Sequence, residues 1–160
     1  MPEVVKIKKL RLYLETTVFN YYFDADRDGH EDTVRLFEAI KAEEYDGYTS
    51  GYAMLELLDA EEPKRSKMLA LAEKYDITIL NADDESLRIA DLYIQNGVIP
   101  VRFRVDAIHI AIASVNGLDC VLSFNYQHIN KLKTKRMTES INLVEGYKAV
   151  VICTPMEVLD

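Results

Sequence analysis

The chain has 160 residues, a formal net charge of −8, 49% hydrophobic and 29% charged residues. That suits one ordinary globular domain spanning 1–160, large enough to bury a core, and no apolar run approaches the roughly 20 residues of a membrane helix. The acidic balance argues against a wide basic face gripping a nucleic-acid duplex. The opening MPEVVKIKKLRLYLE runs directly into a strand-like segment without a signal-peptide pattern, so a cytoplasmic location is expected.

Strand-like and helix-like segments alternate along the chain. LRLYL (10–14) is a short β-compatible run, and HEDTVRLFEAIKAEEY carries Val34, Leu36, Phe37 and Ile40 near helical spacing, with Gly47 soon after. YTS (48–50) predicts a second strand, Ser50 being placed to cap a helix that carries Met54, Leu55, Leu57 and Leu58. Pro63 suits the first turn of a further helix ending near Tyr75, and ITIL (77–80) predicts a third strand. DDESLRIADLYIQNG has acids in its first turn and Gly97 just past its end, as a helix would. The next helix opens at Asp106 and is stopped by Gly117; it is apolar nearly all round and therefore central. CVLS predicts a fourth strand, TESINLVEGY a helix, and AVVIC a fifth strand closed by Pro155. This alternation implies an α/β fold with a parallel sheet covered on both faces, which places ligands beyond the carboxyl ends of its strands.

Three acids sit where apolar segments stop. Glu15 closes LRLYLE, Glu56 lies in SGYAMLELL, and Asp106 opens DAIHIAIASV. Unpaired charge there is costly to bury, so acids gathered at such positions point to a hard divalent cation with oxygen ligands. Dinucleotide, P-loop and serine-hydrolase chemistry lack their motifs: there is no GxGxxG, GxxxxGK[ST] or GxSxG. A phospho-acceptor signalling domain wants an acidic pair after strand one, where this chain has one acid. Cys120 and Cys153, 33 positions apart in β-branched stretches, fit buried thiols rather than a zinc or redox motif. KLKTKR gathers Lys131, Lys133, Lys135 and Arg136 into a small basic patch, readable as a phosphate guide or as a solvated turn and helix start.

LYLETTVFNYYF, GYTSGYAMLELL and DAIHIAIASVNGLDCVLSFNYQHINKLKTKRM, in that order and spacing, resemble the PIN-domain family, closest to the toxin ribonucleases of type II toxin–antitoxin systems. The likeness reaches the terminal EGYKAVVICTPMEVL. It implies a three-layer α/β/α sandwich around a parallel sheet of about five strands. It also implies a divalent-metal-dependent endoribonuclease using Mg²⁺ or Mn²⁺, with an antitoxin protein as partner and a homodimeric state. Residue by residue, the family's first acid, normally Asp, matches Glu15; its second matches Glu56; its third matches Asp106. The fourth position, Asp or Asn, matches Asn125, and the hydroxyl of the first motif matches Thr17. The resemblance thus makes Glu15, Glu56, Asp106 and Asn125 the catalytic and metal-holding set.

The residues by themselves leave other roles open. Asp106 also fits a helix N-cap, Glu56 a solvent-facing helix position, and Asn125 a turn. His109, one helical turn from Asp106, is read as packed and hydrogen-bonded rather than as a base. His128 is read as structural or RNA-facing, and Tyr21, Tyr22 and Tyr126 as core or rim packing. Two departures from the family pattern stand out: Phe124 for the commoner Trp, and Glu15 for Asp. The longer Glu15 arm matters because sites need placement within about 0.5 Å. The sequence therefore predicts that Glu15→Asp retains or gains activity. The alternative is a weakened PIN domain that binds RNA or protein.

Overall fold

Side-chain alternation along the central strand sets the architecture. In β1 (Arg11–Leu14), Leu12 and Leu14 face one side of the sheet and Tyr13 the other, all three fully buried. The division continues in β4 (Cys120–Leu122), where Cys120 and Leu122 join one apolar cluster and Val121 the other, and in β5 (Val151–Cys153). A sheet buried on both faces needs helices on both. The computed structural model, which describes residues 8–159, has that three-layer form.

β2 (Asp46–Ser50) and β3 (Thr78–Leu80) complete a five-stranded sheet in the order β3-β2-β1-β4-β5, with every pairing parallel. One face is covered by α1 (Thr16–Phe23), α2 (His30–Lys41) and α4 (Lys64–Lys74), with α8 (Pro155–Val158) against α2. The other is covered by α5 (Asp84–Gln95), α6 (Arg104–Val115) and α7 (Leu132–Val144). The short α3 (Gly51–Leu57) touches α1 on one side and α6 on the other. As its composition predicts, α6 is central: every residue from Ala107 to Ser114 is buried, and the helix packs along α5. The chain leaves β1 through β2 and β3, then crosses back to lay β4 on the other side of β1. Such a reversal opens a crevice at the carboxyl ends of β1 and β4.

The structure departs from the sequence-based elements in several places, β2 beginning at Asp46 rather than Tyr48 among them. TTVFNYYF, aromatic and β-branched, forms α1, because Val18 and Phe19 are buried and Tyr22 follows on the same helical face against Phe37. α7 begins at Leu132 rather than near Thr138; its inner face is Thr134, Thr138 and Asn142, which apolar periodicity does not register. α6 begins at Arg104 after a 3₁₀ turn, Val101–Phe103, so Asp106 lies in its first turn and not at its cap. The fifth strand is regular only from Val151. Cys120 and Cys153 are buried as expected and hydrogen-bonded to each other. Gly29, at φ +100°, is the residue on which α2 starts, and a Cβ there would fall 2.8 Å from Phe124 Cε1. Residues 1–7, on which the expected location partly rests, lie outside the described residues. No helix among the described residues is long and apolar enough to cross a membrane.

Candidate active site

β1 ends at Glu15, whose N–H still donates to Leu122 O at 3.1 Å and so extends the β1–β4 pairing by one step. Alternation puts its side chain on the Tyr13 face, toward α6. Ser123 extends β4 likewise, its N–H donating to Cys153 O. The two side chains meet: Ser123 Oγ donates to Glu15 Oε1 at 2.6 Å, and Thr17 Oγ1 donates to the same oxygen at 2.6 Å. Thr17 Oγ1 in turn accepts from Phe124 N at 2.8 Å, tying α1 to the residues after β4.

Glu56 arrives on α3, whose cap is the expected one: Ser50 Oγ accepts from Ala53 N. Glu56 Oε1 accepts from Thr16 Oγ1 at 2.6 Å and lies 2.5 Å from Nε2 of His109. The other ring nitrogen, Nδ1, lies 2.6 Å from the Tyr13 hydroxyl, itself 2.7 Å from Ser50 Oγ. Since an ionised Glu56 only accepts, Nε2 of His109 carries a proton. Ser50, Tyr13, His109 and Glu56 thus form one chain of hydrogen bonds between β2, β1, α6 and α3.

Asp106 points from the first turn of α6. Its Oδ2 lies 3.1 Å from His128 Nδ1, and the Asn125 side chain hydrogen-bonds to it as well. Asn125 Oδ1 accepts from His128 N at 3.0 Å, so Asn125 makes the turn after β4 while reaching Asp106. The His128 ring is buried and packs on Phe103, with centroids 4.0 Å apart.

The electrostatics follow from burial around one imidazole. Burial pushes the carboxyls of Glu15 and Asp106 above the usual carboxylate range, opposed chiefly by His109. Burial also pushes Glu56 upward, but its hydrogen bonds from His109 and Thr16 prevail and hold it below that range. For His109, burial opposes the charged form, yet the bond to Glu56 and the fields of Glu15, Glu56 and Asp106 raise its pKa. Three carboxylates facing one histidine leave a local excess of negative charge.

Glu15, Glu56 and His109 each offer a ligand atom, all within 4.8 Å of one another; Asp106 stands outside that group, held by His128. Protein donors to both glutamates converge on Oε1. Glu15, Glu56, Asp106 and Asn125 therefore lie at one edge of the sheet, as the sequence predicts. Tyr13, Thr16 and Ser123, which the sequence did not single out, orient them, together with Ser50, which it singled out only as a helix cap. His109 is packed and hydrogen-bonded as expected, but among the acids, a placement its one-turn spacing from Asp106 already hinted at. Of the tyrosines, Tyr21 stacks on Phe124 at 3.7 Å, Tyr22 bonds to Tyr75, and Tyr126 is exposed.

No curated protein matches the chain in sequence. Among solved structures, VapC20 of Mycobacterium tuberculosis, described as a sarcin–ricin loop cleaving toxin, is similar in fold. The TM-score is 0.58 at 14% identity, covering 73% of this chain and 92% of that one. The sequence profile of the PIN domain matches residues 12–133, from β1 through the start of α7 and so across every acid described above. The chain belongs to the PIN domain family.

Proposed function

We propose that this PIN-domain protein is a divalent-metal-dependent endoribonuclease, with Glu15, Glu56, Asp106 and Asn125 holding Mg²⁺ or Mn²⁺ at the carboxyl edge of the sheet. The observation that carries the reading is the gathering of three carboxylates around one buried histidine at the β1/β4 crevice. The donor set fits such an ion: carboxylate oxygens, plus an amide oxygen that has a second lone pair beyond the one given to His128 N. A bound ion would lower the pKa of a water and offset charge developing on phosphate oxygens.

The chain's own residues supply geometry. Thr17 and Ser123 fix the Glu15 carboxylate, Thr16 and His109 fix Glu56, and His128 with Asn125 fixes Asp106. Carboxylates held in this way stay aimed into the crevice rather than swinging apart. The same reading makes the protein a toxin with an antitoxin partner, a homodimer and a cytoplasmic resident. The description of VapC20 as a toxin supports the first of these, and light scattering tests the dimer.

The test is a labelled RNA panel incubated with Mn²⁺, with EDTA as control. Cleavage should require metal and be nearly lost in Asp106→Asn and Glu56→Gln, since metal-held acids act as one unit. EDTA-insensitive cleavage, or full activity in Asp106→Asn, would sink the reading. The uncharged Asn125 favours one second reading, a weakened domain that binds RNA or protein; RNA binding with no cleavage by the wild type would select it.

A further inference from the structure

The basic patch has a defined place beside the acidic edge. Lys131 precedes α7 as its N-cap residue, with Lys133 and Arg136 in the first turns of the helix. All three are exposed, and none forms an ion pair among the described residues, in a chain of net charge −8. Lys131 and Lys133 line a groove of about 520 Å³ together with His128, Gln127 and the segment 97–101. Lys133 and Arg136 line a second groove of about 510 Å³ with Asn96 and Met137. Lys133 belongs to both, and neither lining contains an Asp or Glu. The first groove begins at His128, the histidine that holds Asp106.

We propose that these two grooves form one track for the phosphates of single-stranded RNA leaving the acidic edge, with Lys131, Lys133 and Arg136 as successive contacts. The proposal rests on the nuclease reading. Charge complementarity selects the occupant: an acid-free cationic line on an acidic protein attracts a polyanion, and the exposed Val101 in its lining offers a base an apolar surface. One short line of cations fits a single strand better than a duplex, which needs a wide basic face. Lys135 is not part of the track: it lines neither groove.

Fluorescence anisotropy in EDTA, with a labelled single-stranded RNA of about ten nucleotides, reads the track without cleavage. Replacing Lys131, Lys133 and Arg136 together by Gln should weaken binding at low salt by about tenfold or more. It should also reduce the slope of log affinity against log salt by about 2, from three single-strand contacts at roughly 0.7 each. Lys135→Gln should leave both unchanged, and melting curves should show every variant folded. Equal affinity and slope in the triple variant would overturn the track, as would an equal loss in Lys135→Gln. So would binding of a polyglutamate peptide in place of RNA, which would assign the patch to an acidic protein. Metal-dependent cleavage with an unchanged KM and salt slope in the triple variant would remove the track and leave the nuclease. Track-dependent binding by a wild type that never cleaves would support the track and remove the nuclease.

Discussion

Nε2 of His109 lies 2.5 Å from Oε1 of Glu56, and the ring that makes this contact has no exposed surface. A half-buried carboxylate on a seven-residue helix is thereby anchored to the central helix of the opposite layer. Behind the ring, the Tyr13 hydroxyl occupies Nδ1 and fixes how the imidazole stands. His109 stands one bond behind Glu56, a place worth about 10–100-fold in metal affinity at well-studied sites, and Tyr13 stands one bond further back, holding the ring.

Tyr13→Phe should therefore weaken Mn²⁺ binding by about tenfold in a protein that remains folded, although Tyr13 itself is no proposed ligand. His109→Gln, which retains a donor toward Glu56, should retain more affinity than His109→Ala. Calorimetric titration with Mn²⁺ is the measurement. An unchanged affinity in folded Tyr13→Phe would mean that the hydrogen-bond chain does not orient Glu56.

Glu15 predicts a stability effect with a definite sign. Burial raises its folded-state pKa above the unfolded value. Its stabilising contribution is complete below the unfolded pKa and is lost as pH rises through the folded one. Burial therefore sets the charged form of Glu15 against folding of the metal-free chain. Glu15→Gln keeps an oxygen for Thr17 and Ser123 while removing the charge, so it should raise Tm at neutral pH by a few degrees (about 2–4 °C per kcal/mol). The gain should fade on acidification, and the stabilisation by Mn²⁺ should disappear. Calorimetric melts across pH, with and without Mn²⁺, would expose the opposite sign.

Glu15→Asp now carries the reverse of its sequence-based expectation. The longer arm takes Oε1 to Ser123 and Thr17 at 2.6 Å each. An arm one carbon shorter gives up both contacts and leaves a buried hydroxyl without its acceptor, a loss of about 1–3 kcal/mol. Mn²⁺ affinity and RNA cleavage should both fall. Equal or faster cleavage by Glu15→Asp would show that the family's usual arm length suits this site after all.

Ile112, fully buried in α6, tests the core apart from the site. Ile112→Ala should lower unfolding free energy by about 2–5 kcal/mol, measured by urea titration. A smaller loss would indicate that neighbours collapse into the space.

The layers were legible in the chain because α6 is apolar all round and the strands alternate between two faces. The placements of Glu15 and Asn125 were legible because each follows a strand, and that of Asp106 because it opens a helix, whereas Glu56, in the last turn of α3, was marked only by its motif. α1 was not, since TTVFNYYF has the composition of a strand and becomes a helix through the packing of Val18, Phe19 and Tyr22. Nor was the supporting set. Tyr13 finds His109 across 96 positions and Thr16 finds Glu56 across 40. No local pattern marks a hydroxyl whose partner lies on another element.

The strand order has a consequence in time. Ser123 grips Glu15 across 108 positions, from strands that are neighbours in space but not in sequence. At about 5–20 residues per second, Glu15 waits roughly 5–20 s on the ribosome for that hydroxyl to be made. A nascent or truncated chain ending before Cys120 carries Glu15, Glu56 and Asp106 without β4 and without the Ser123 hydroxyl at its end. Synthesis thus finishes most of the molecule before it finishes the centre.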